Sequence, residues 1–479
     1  MPIEKLTTGI RGFDMLTHGG IPEGRSTLVV GRSGAGKTIF ALQVAAHLAA
    51  NDIATLVVGV EESGTDLLVT GDGLALDLTG LRDTGKLHIA DLTPPTDGQT
   101  VVSGTYDLFG LVHRLEAIVA EHNIKAIVVD SATALFSPRP SQDQLRNHFF
   151  QLVHSLGRMG LTSIILAESP QDMSQLTTLG VEDYVCDLVV VLRNAIEGDR
   201  RRRSIEVNKY RRSAHFKGEY PCTITTRGLI IFPQNPREHP DLVPVERFSS
   251  GVRGLDEMTK GGWLRNSIII VRGPTGSGKT MLAGLYARAG AMRNERVVYY
   301  GFEEPRPILL RNFEAIGMPM VSLIDKGNLR IICRYPESTS LEDLLVSLRL
   351  SIEEFSPSLV VLDSISSIEH ASSERGFRQF MVGLASMLRE FGRSALITQT
   401  ISAGESAIHD APFLSTIADA ILAMDYSPHG YELDRTMRVV KMRGSDHETH
   451  PYRLAIGAGG LTVTRLDQED ATRARKATA

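Results

Sequence analysis

The sequence has few cysteines, no excess of basic charge and no long apolar run. Its three cysteines, Cys186, Cys222 and Cys333, lie far apart without a C-x-x-C pair, so we expect reduced thiols and neither a disulfide framework nor a zinc site. The 51 basic and 56 acidic residues give a net charge of −5, which supplies no electrostatic reason to bind nucleic acid or an anionic membrane. No run approaches the roughly 18 apolar residues of a membrane helix, and the first residues lack the apolar core of a signal peptide. We therefore expect a soluble cytoplasmic protein without a membrane or DNA partner.

The chain of 479 residues contains an internal duplication. Residues 6–38 recur without a gap as residues 248–280, an offset of 242. The order of later features is kept while two connections shorten, as expected when a core is fixed and its loops vary. A period this long indicates a duplicated domain and not a solenoid repeat. The repeated positions include Gly9, Arg11, Gly12, Asp14, Thr17, Gly19 and Gly20, which recur as Gly251, Arg253, Gly254, Asp256, Thr259, Gly261 and Gly262.

Each half alternates short β-branched runs with longer amphipathic stretches. Continuous apolar strands separated by helices predict a mostly parallel sheet that is covered by helices on both faces. Prolines and charges interrupt the pattern at residues 233–247, which we take as a linker between two α/β domains. The predicted strands are 27–30, 55–60, 126–129, 163–167 and 187–192 in the first half, and 267–271, 297–301, 359–362, 394–398 and 419–424 in the second.

Both halves contain the phosphate-loop pattern G-x-x-x-x-G-K-[ST], at residues 31–38 and 273–280. Each copy follows a predicted strand and opens a predicted helix, which is the context that this motif requires. The glycines let successive N–H groups face phosphates at the positive end of the helix. The lysine reaches the β- and γ-phosphates, and the threonine hydroxyl binds Mg²⁺. The predicted phosphate-binding residues are Ser33, Gly34, Ala35, Gly36, Lys37 and Thr38, and Thr275, Gly276, Ser277, Gly278, Lys279 and Thr280.

Two kinds of carboxylate recur in both halves. Asp130 and Asp363 end apolar strands, where an aspartate can hold Mg²⁺ through water; a helix N-cap is the alternative. A pair of glutamates follows each phosphate-loop lysine by 24 residues, again after a strand. Adjacent carboxylates repel, which suits a general base, and a solvated acidic turn is the alternative. The pairs are Glu61–Glu62 and Glu303–Glu304, and Glu303 is also a candidate Mg²⁺ ligand with Thr38, Thr280, Asp130 and Asp363.

Four longer strings resemble the KaiC family, the double-domain RecA-like ATPases of the cyanobacterial clock and their bacterial relatives. They are LRNAIEGDRRRRSIEVNKYRRSAHFKGEYP (192–221), YPESTSLEDLL (335–345), FRQFMVGL (377–384) and VVKMRGS (439–445). The resemblance runs from about residue 6 to about residue 460 and implies tandem RecA-like P-loop NTPase domains. It also implies a ring of six subunits with ATP at the subunit interfaces. The expected parts are an ATPase domain (1–232), a linker (233–247), an autokinase domain (248–466) and a short tail (467–479).

The resemblance implies roles for several basic and polar residues. A basic pair in each half matches the family's trans-acting pair, which reaches the γ-phosphate that is bound by the neighbouring subunit. Such cations neutralise charge on the transferring phosphoryl group. The run Arg200–Arg203 alone would suggest a nucleic-acid patch, but an inter-subunit face is the favoured interpretation. The pairs are Lys209 with Arg211 and Lys441 with Arg443, and the further nucleotide-contacting matches are Ser213, His215, Arg435 and Ser445.

The autokinase expectation depends on the string FLSTIADAIL. Ser415 and Thr416 match the family's adjacent phosphorylated pair, and Glu303 beside Glu304 would take the hydroxyl proton. Without the resemblance, a Ser-Thr dipeptide is usually a cap or a turn. A phosphate at this place could form charge-assisted bonds across the interface and bias ring stability.

Three positions and the C-terminus depart from the clock proteins. Asp410 stands where those proteins carry a further phosphorylatable threonine, and its carboxylate could partly mimic a phosphate. Arg212 stands where the family has glycine after the first basic pair. Ile316 stands where the clock proteins have an aromatic residue near the adenine of their second domain. The segment through which an adaptor regulates clock members is expected to be missing, so an oscillation is not expected.

Three functions remain open on this basis. The leading hypothesis is a hexameric ATPase and serine/threonine autokinase, with autophosphatase activity, in clock, timing or stress signalling. Its partners would be Kai-type or other signalling proteins, and its cofactors ATP and Mg²⁺. The alternatives are a RecA-like DNA-dependent ATPase, which the net acidity disfavours, and a nucleotide-gated scaffold that hydrolyses ATP without phosphorylating itself.

Overall fold

The computed structural model describes most of both halves of the chain. The described residues are 3–92, 108–135, 142–169, 185–197, 200–232, 246–336, 339–401, 412–429, 432–457 and 460–466. Asp410, the tail 467–479 and linker residues 233–245 therefore lie outside them. The chain divides into two units, Met1–Pro233 and Gln234–Ala479.

The first unit alternates strands and helices along most of its described length. Its strands are β1 (Lys5–Leu6), β2 (Ile21–Pro22), β3 (Ser26–Gly31), β4 (Thr55–Gly59), β5 (Leu87–Asp91), β6 (Ala126–Asp130), β7 (Thr162–Glu168), β8 (Leu188–Glu197), β9 (Arg200–Tyr210), β10 (Glu219–Thr225) and β11 (Gly228–Ile231). Its helices are α1 (Phe13–Leu16), α2 (Lys37–Ala50), α3 (Gly64–Gly73), α4 (Leu78–Asp83), α5 (Leu108–His122), α6 (Ala132–Leu135) and α7 (Gln142–Arg158).

The second unit repeats this order. Its strands are β12 (Arg247–Phe248), β13 (Trp263–Leu264), β14 (Ile268–Gly273), β15 (Val297–Gly301), β16 (Leu329–Cys333), β17 (Leu359–Asp363), β18 (Ser394–Thr400), β19 (Ala420–His429), β20 (Glu432–Met442), β21 (Tyr452–Gly457) and β22 (Gly460–Arg465). Its helices are α8 (Arg253–Met258), α9 (Lys279–Met292), α10 (Arg306–Ala315), α11 (Val321–Asp325), α12 (Leu341–Phe355), α13 (Ile365–His370), α14 (Glu374–Glu390) and α15 (Pro412–Ile417).

The main sheets of the two units have the same strand order. In the described part of the first unit the order is β11-β10-β9-β8-β3-β7-β6-β4-β5, and in the second it is β22-β21-β20-β19-β14-β18-β17-β15-β16. The strands from β8 to β5, and from β19 to β16, are parallel, and the remaining three in each sheet are antiparallel. The predicted fold class is thus confirmed, and the ten predicted strands all lie in these sheets.

Helices cover both faces of the parallel part of the first sheet. Val29 and Val57 pack with α2 on one face, whereas Leu28 and Val58 pack with α5 and α7 on the other, and all four side chains are buried. Burying one such side chain contributes about 1.5–3 kcal/mol to folding. This two-sided burial explains why the central strands are continuous apolar runs. It also leaves the carboxyl ends of the strands, where polar residues follow, as the edge on which the loops lie.

The antiparallel extension was not predicted from the sequence. β9 begins with the four arginines Arg200–Arg203 and continues with alternating polar residues, so it lacks an apolar run. It forms because the backbone of β8 provides hydrogen-bonding partners along its edge. The antiparallel register runs from Leu188 opposite Tyr210 to Glu197 opposite Arg200. The arginine run is therefore part of a sheet strand.

Candidate nucleotide sites

The two phosphate loops connect the central strand of each sheet to a 14-residue helix, β3 to α2 and β14 to α9. Gly36 and Gly278 precede these helices with φ of 101° and 105°, in the left-handed region that favours glycine. A Cβ at Gly36 would lie 2.9 Å from Ile224 Cδ1, and one at Gly278 would lie 3.1 Å from Ile456 Cδ1. The loops therefore keep glycine for both backbone conformation and close packing. Of the other predicted loop residues, Ser33, Gly34, Thr275 and Gly276 are exposed, and Ala35 and Ser277 are buried.

The phosphate-loop lysines lie across their own loops. Lys37 Nζ donates to Gly31 O at 2.9 Å, and Lys279 Nζ donates to Gly273 O at the same distance. Burial lowers the pKa of both lysines, while nearby carboxylates act in the opposite direction. Each lysine therefore places a positive charge among carboxylates, where it can attract the phosphates of a nucleotide. The opposing carboxylates are Glu168, Asp130 and Glu61 around Lys37, and Asp363 and Glu303 around Lys279.

Asp130 lies beside Thr38, as the predicted Mg²⁺ site requires. Thr38 Oγ1 donates to Asp130 Oδ2 at 2.8 Å, and Asp130 is only 5% exposed. Burial raises the pKa of Asp130 to about 6, and the charges of Glu61 and Glu62 act in the same direction. The hydroxyl and carboxylate offer only oxygen ligands, which Mg²⁺ prefers. These residues fit a magnesium ion and would hold it next to the phosphates of a bound nucleotide.

Asp363 accepts hydrogen bonds from two hydroxyl groups that were not predicted as site residues. Tyr299 Oη donates to its Oδ2 at 2.7 Å, and Thr398 Oγ1 donates to its Oδ1 at 2.5 Å. Burial raises the pKa of Asp363, against the bonds from Thr398, Tyr299 and Thr280. The predicted residues Thr280 and Asp363 thus lie together in the second unit. No local signal in the sequence indicates these contacts, because Tyr299 and Thr398 each lie within a strand of largely buried residues.

The first glutamate of each pair is hydrogen-bonded to the serine after the strand-end aspartate. Ser131 Oγ donates to Glu61 Oε1, and Ser364 Oγ donates to Glu303 Oε1 at 2.7 Å. These serines were not predicted, although the D-S dipeptide recurs in both halves. The bond orients one carboxylate of each pair next to the phosphate-loop lysine. Of the second glutamates, Glu304 accepts from Asn312 Nδ2 at 3.0 Å, and Glu62 is exposed.

The predicted basic pairs lie at the ends of the β8–β9 and β19–β20 hairpins. The register of both hairpins shifts at this place: Asn208 is the extra residue beside Lys209, and Val440 the extra residue beside Lys441. Such bulges re-aim the neighbouring side chain. Neither Lys209 nor Arg211 is without an interaction partner.

The second basic pair contacts the helix that carries the predicted phosphorylation sites. Lys441 Nζ donates to the carbonyl oxygens of Ser415 and Ala418, the latter at 3.0 Å. Arg443 Nη2 donates to Thr416 O at 3.0 Å. The Ser415 side chain is half-buried; that of Thr416 is exposed, and its Oγ1 donates to the carbonyl of Phe413 at 2.7 Å. The structure therefore brings the cations and the two hydroxyl residues to one place.

The further nucleotide-contacting candidates occupy different places. Arg435 Nε donates to Gly276 O at 3.0 Å, so this side chain contacts the phosphate loop of its own unit. Ser213 Oγ accepts from Lys5 Nζ at 2.8 Å, and Ser445 Oγ accepts from the Arg247 guanidinium. Burial lowers the pKa of His215 in the same loop as Ser213.

The described residues lack a membrane-spanning helix and a cluster of metal-ligating side chains. No helix in that part of the chain is long and apolar enough to cross a bilayer. Within the same residues, no group of three or more His, Cys, Asp or Glu side chains could hold a metal ion. A phosphate-loop magnesium site needs only the threonine and aspartate described above.

Each unit thus combines a phosphate loop, a strand-end aspartate and an oriented glutamate at the carboxyl ends of a mostly parallel sheet. This combination defines a nucleotide-binding protein with two RecA-like P-loop domains. The family "ATPase: KaiC" matches the chain twice, over residues 6–236 and 248–468.

Three relatives align with nearly the whole of this chain. The circadian clock oscillator protein KaiC of Picosynechococcus sp. is 38% identical over 464 residues, which cover 96% of this chain and 90% of that protein. KaiC 1 of Synechocystis sp. is 39% identical over 464 residues, covering 96% and 89%. KaiC of Prochlorococcus marinus is 38% identical over 470 residues, covering 97% and 93%. The chain belongs to the KaiC family and carries two of its ATPase domains.

Proposed function

We propose that this protein forms a ring of six subunits, with ATP and Mg²⁺ at the subunit interfaces, and that its two domains use ATP differently. The domain 1–232 hydrolyses ATP, and the domain 248–466 transfers phosphate to Ser415 and Thr416 and later removes it. The supporting observation is the contact of Lys441 and Arg443 with the backbone of Ser415 and Thr416. Because one subunit holds cations and acceptors side by side, it can present both to an ATP that its neighbour binds.

The residues of the second unit have complementary roles in this transfer. Lys279 binds the phosphates of ATP, and Thr280 with Asp363 would hold Mg²⁺, which neutralises phosphate charge. The acceptor Oγ forms a bond to the γ-phosphorus as the bond from that phosphorus to the bridging oxygen breaks, and ADP leaves. Glu303 takes the hydroxyl proton, since Ser364 orients its carboxylate. The neighbour's Lys441 and Arg443 stabilise the charge on the transferring group.

The first unit has the same groups without the acceptor pair, so water is the attacking group there. Glu61, oriented by Ser131, polarises this water. Lys209 and Arg211 of the adjacent subunit stabilise the phosphoryl group as it transfers, in the manner of an arginine finger. The products are ADP and phosphate.

The cellular role that we propose is clock, timing or stress signalling in the cytoplasm, with Kai-type or other signalling proteins as partners. The net charge of −5 argues against a DNA motor. A scaffold that hydrolyses ATP without phosphorylating itself is the second candidate, because Thr416 Oγ1 already donates to its own helix.

The test is incubation of the purified protein with Mg²⁺ and γ-labelled ATP, followed by phosphosite mapping by mass spectrometry. Wild type is compared with the double variant Ser415→Ala/Thr416→Ala. We expect label on these two residues in wild type and none in the variant, with phosphate release retained. Steady phosphate release without any label on the wild-type protein would establish the scaffold function instead. Stimulation of turnover by DNA in a salt-sensitive manner would favour the motor.

A further inference from the structure

The repeated motif before each phosphate loop has no part in the nucleotide chemistry described above. It reads G-x-R-G-x-D-x-x-T-x-G-G at residues 9–20 and 251–262. In each unit it connects two short antiparallel strands, β1 with β2 and β12 with β13. Seven of its twelve positions carry the same residue in both units, which points to a constraint on this segment.

The last glycine of the motif lets the two short strands meet. Gly20 has φ of 114° and Gly262 has φ of 96°. A Cβ at Gly20 would lie 1.9 Å from Leu6 O, and one at Gly262 would lie 2.2 Å from Phe248 O. Only glycine fits these two positions. We call residues 9–20 and 251–262, each a compact segment between the two short strands of its unit, the platform.

In the first unit this platform holds Lys5. The Lys5 Nζ donates to the carbonyl oxygens of Thr17 at 2.5 Å and His18 at 3.1 Å. It also donates to Ser213 Oγ at 2.8 Å and lies 4.8 Å from the centre of the Tyr210 ring. Ser213 and Tyr210 flank Arg211, so a single ammonium group joins the platform to the loop of the basic pair.

In the second unit Arg247 occupies the same position, 242 residues later. Its Nη1 donates to Thr259 O at 2.9 Å and to Gly262 O at 2.6 Å. Its Nη2 donates to Ser445 Oγ, two residues after Arg443. A different side chain thus makes the same connection, which indicates that the connection itself is what both units keep.

The loop is held at both of its ends as well. In each unit the backbone N–H of the arginine of the basic pair donates to the carbonyl of the aspartate that immediately precedes β8 or β19. A later backbone N–H of the same loop donates to the last residue of α1 or α8. These bonds are Arg211 N to Asp187 O (2.8 Å), Phe216 N to Leu16 O (2.9 Å), Arg443 N to Asp419 O (2.8 Å) and Glu448 N to Met258 O (2.9 Å). The bond from Lys5 or Arg247 to the loop serine therefore lies between these two backbone bonds, so that each loop is attached at three points.

We propose that Lys5 and Arg247 are positioning residues that hold the loops of the trans-acting basic pairs toward the neighbouring subunit's ATP. This inference rests on the proposed function, in which Lys209, Arg211, Lys441 and Arg443 act across the interface. Charge-assisted bonds to carbonyl and hydroxyl oxygens fix the loop. Misplacement of a catalytic group by about 1 Å can cost up to 100-fold in rate.

The first test compares Arg247→Met with Arg253→Met, which removes the same charge from a side chain that is 94% exposed. We expect Arg247→Met to lower kcat for label transfer about tenfold, with KM for ATP unchanged, because the variant's own phosphate loop is intact. Arg253→Met should behave as wild type, and Arg247→Lys should restore part of kcat. Lys5→Met should lower phosphate release from the first unit in the same way, with rescue by Lys5→Arg.

The second test mixes Arg247→Met subunits with Glu303→Gln subunits. Each variant is defective alone, but about a quarter of the interfaces in randomly mixed rings combine an intact glutamate with an intact loop. We expect label transfer to recover toward that fraction. A damaged fold would give no recovery, and that result would overturn the inference.

Failure of the inference and failure of the proposed function are separable. If Lys441→Met leaves transfer unchanged, the trans-acting role is wrong. If Lys441→Met abolishes transfer while Arg247→Met matches Arg253→Met, only the positioning role is wrong.

Discussion

The two units share a sheet order and a phosphate loop but differ in the side chains around the acidic site. In the second unit Tyr299 and Thr398 donate to Asp363. The strand registers place Val57 and Leu166 at the corresponding positions of the first unit, and neither has a hydroxyl. The aspartate of the second unit is therefore fixed more firmly than Asp130.

The loops themselves are also held differently. Tyr426 Oη donates to Thr275 O at 3.1 Å, and Arg435 Nε donates to the next carbonyl. In the first unit Asn194 Nδ2 donates to Gly34 O at 3.2 Å. The backbone of the site thus tolerates little change, whereas the surrounding side chains have diverged.

The acceptor segment shows the same divergence in sequence. At an offset of 232, Ser415 and Thr416 correspond to Asp183 and Tyr184. Neither residue is a serine or a threonine, so the first unit lacks the proposed acceptor pair. On the proposed function, one duplicated site serves hydrolysis in the first unit and phosphorylation in the second, depending on the group that lies opposite the γ-phosphate.

Substitution of the basic pairs should give the largest effect, and it tests whether the two units use ATP differently. We expect Lys441→Met/Arg443→Met to reduce label transfer about 1000-fold, the magnitude of losing an arginine finger, while phosphate release from the first unit continues. Lys209→Met/Arg211→Met should give the opposite pattern. The control is Arg438→Met, an exposed arginine on the same strand. Equal losses of both activities in both variants would contradict separate roles.

Substitution of a hydroxyl partner of Asp363 tests the difference between the acidic sites of the two units. Tyr299→Phe removes a hydrogen bond to a buried carboxylate and should lower the free energy of unfolding by about 2 kcal/mol. It should also weaken Mg²⁺-dependent nucleotide binding, because Asp363 is then less well oriented. Urea unfolding and titration with ATP, with and without Mg²⁺, measure both effects.

The neighbouring Tyr300 is the matched control, since its hydroxyl contacts Ser351 and the carbonyl of Ser347. Tyr300→Phe should lower stability without changing the Mg²⁺ dependence. If both variants change that dependence equally, the proposed role of Tyr299 is wrong.

Substitution of the serines that donate to Glu61 and Glu303 tests a hydrogen bond that both units have. Ser131→Ala and Ser364→Ala remove the bonds that orient Glu61 and Glu303. We expect each to lower kcat of its own unit about tenfold, which corresponds to about 1.4 kcal/mol in the barrier. Phosphate release reports the first unit and label transfer the second. An effect of Ser364→Ala on phosphate release alone would contradict the assignment.

The smallest expected effect concerns the residue after each basic pair. Arg212 has φ of 62° and Gly444 has φ of 66°, so one conformation is occupied by arginine in one unit and by glycine in the other. Gly444→Ala should lower the free energy of unfolding by about 1 kcal/mol. Arg212→Gly should change it by less than half of this amount, because relief of strain offsets the greater freedom of the unfolded chain. Thermal unfolding of both variants measures the difference.

Much of the fold and of the candidate site could be predicted from the sequence. The ten central strands and the phosphate loops were predictable because continuous apolar runs and glycine spacing are local signals. Thr38 and Asp130, 92 residues apart, could be brought together only by knowing that parallel strands end at one edge.

Contacts that depend on side-chain direction could not be predicted. Tyr299 looks like a core residue in the sequence, and its bond to Asp363 depends on the register of β15 and β17. Lys5 and Ser213 are separated by 208 residues, and nothing local to either one indicates the contact. The antiparallel strands were missed because they alternate apolar with polar or charged residues and so lack the continuous apolar run of the central strands.

The most direct measurement of the central claim compares Glu61→Gln with Glu303→Gln. Protein-bound label and released phosphate are followed in the same reaction with γ-labelled ATP and Mg²⁺. Glu257→Gln, an exposed glutamate, is the control. We predict that Glu303→Gln loses label on Ser415 and Thr416 by about 100-fold or more and keeps steady phosphate release, whereas Glu61→Gln loses most of that release and keeps label. Loss of both signals in either variant, or of neither, would contradict two separate uses of one duplicated site.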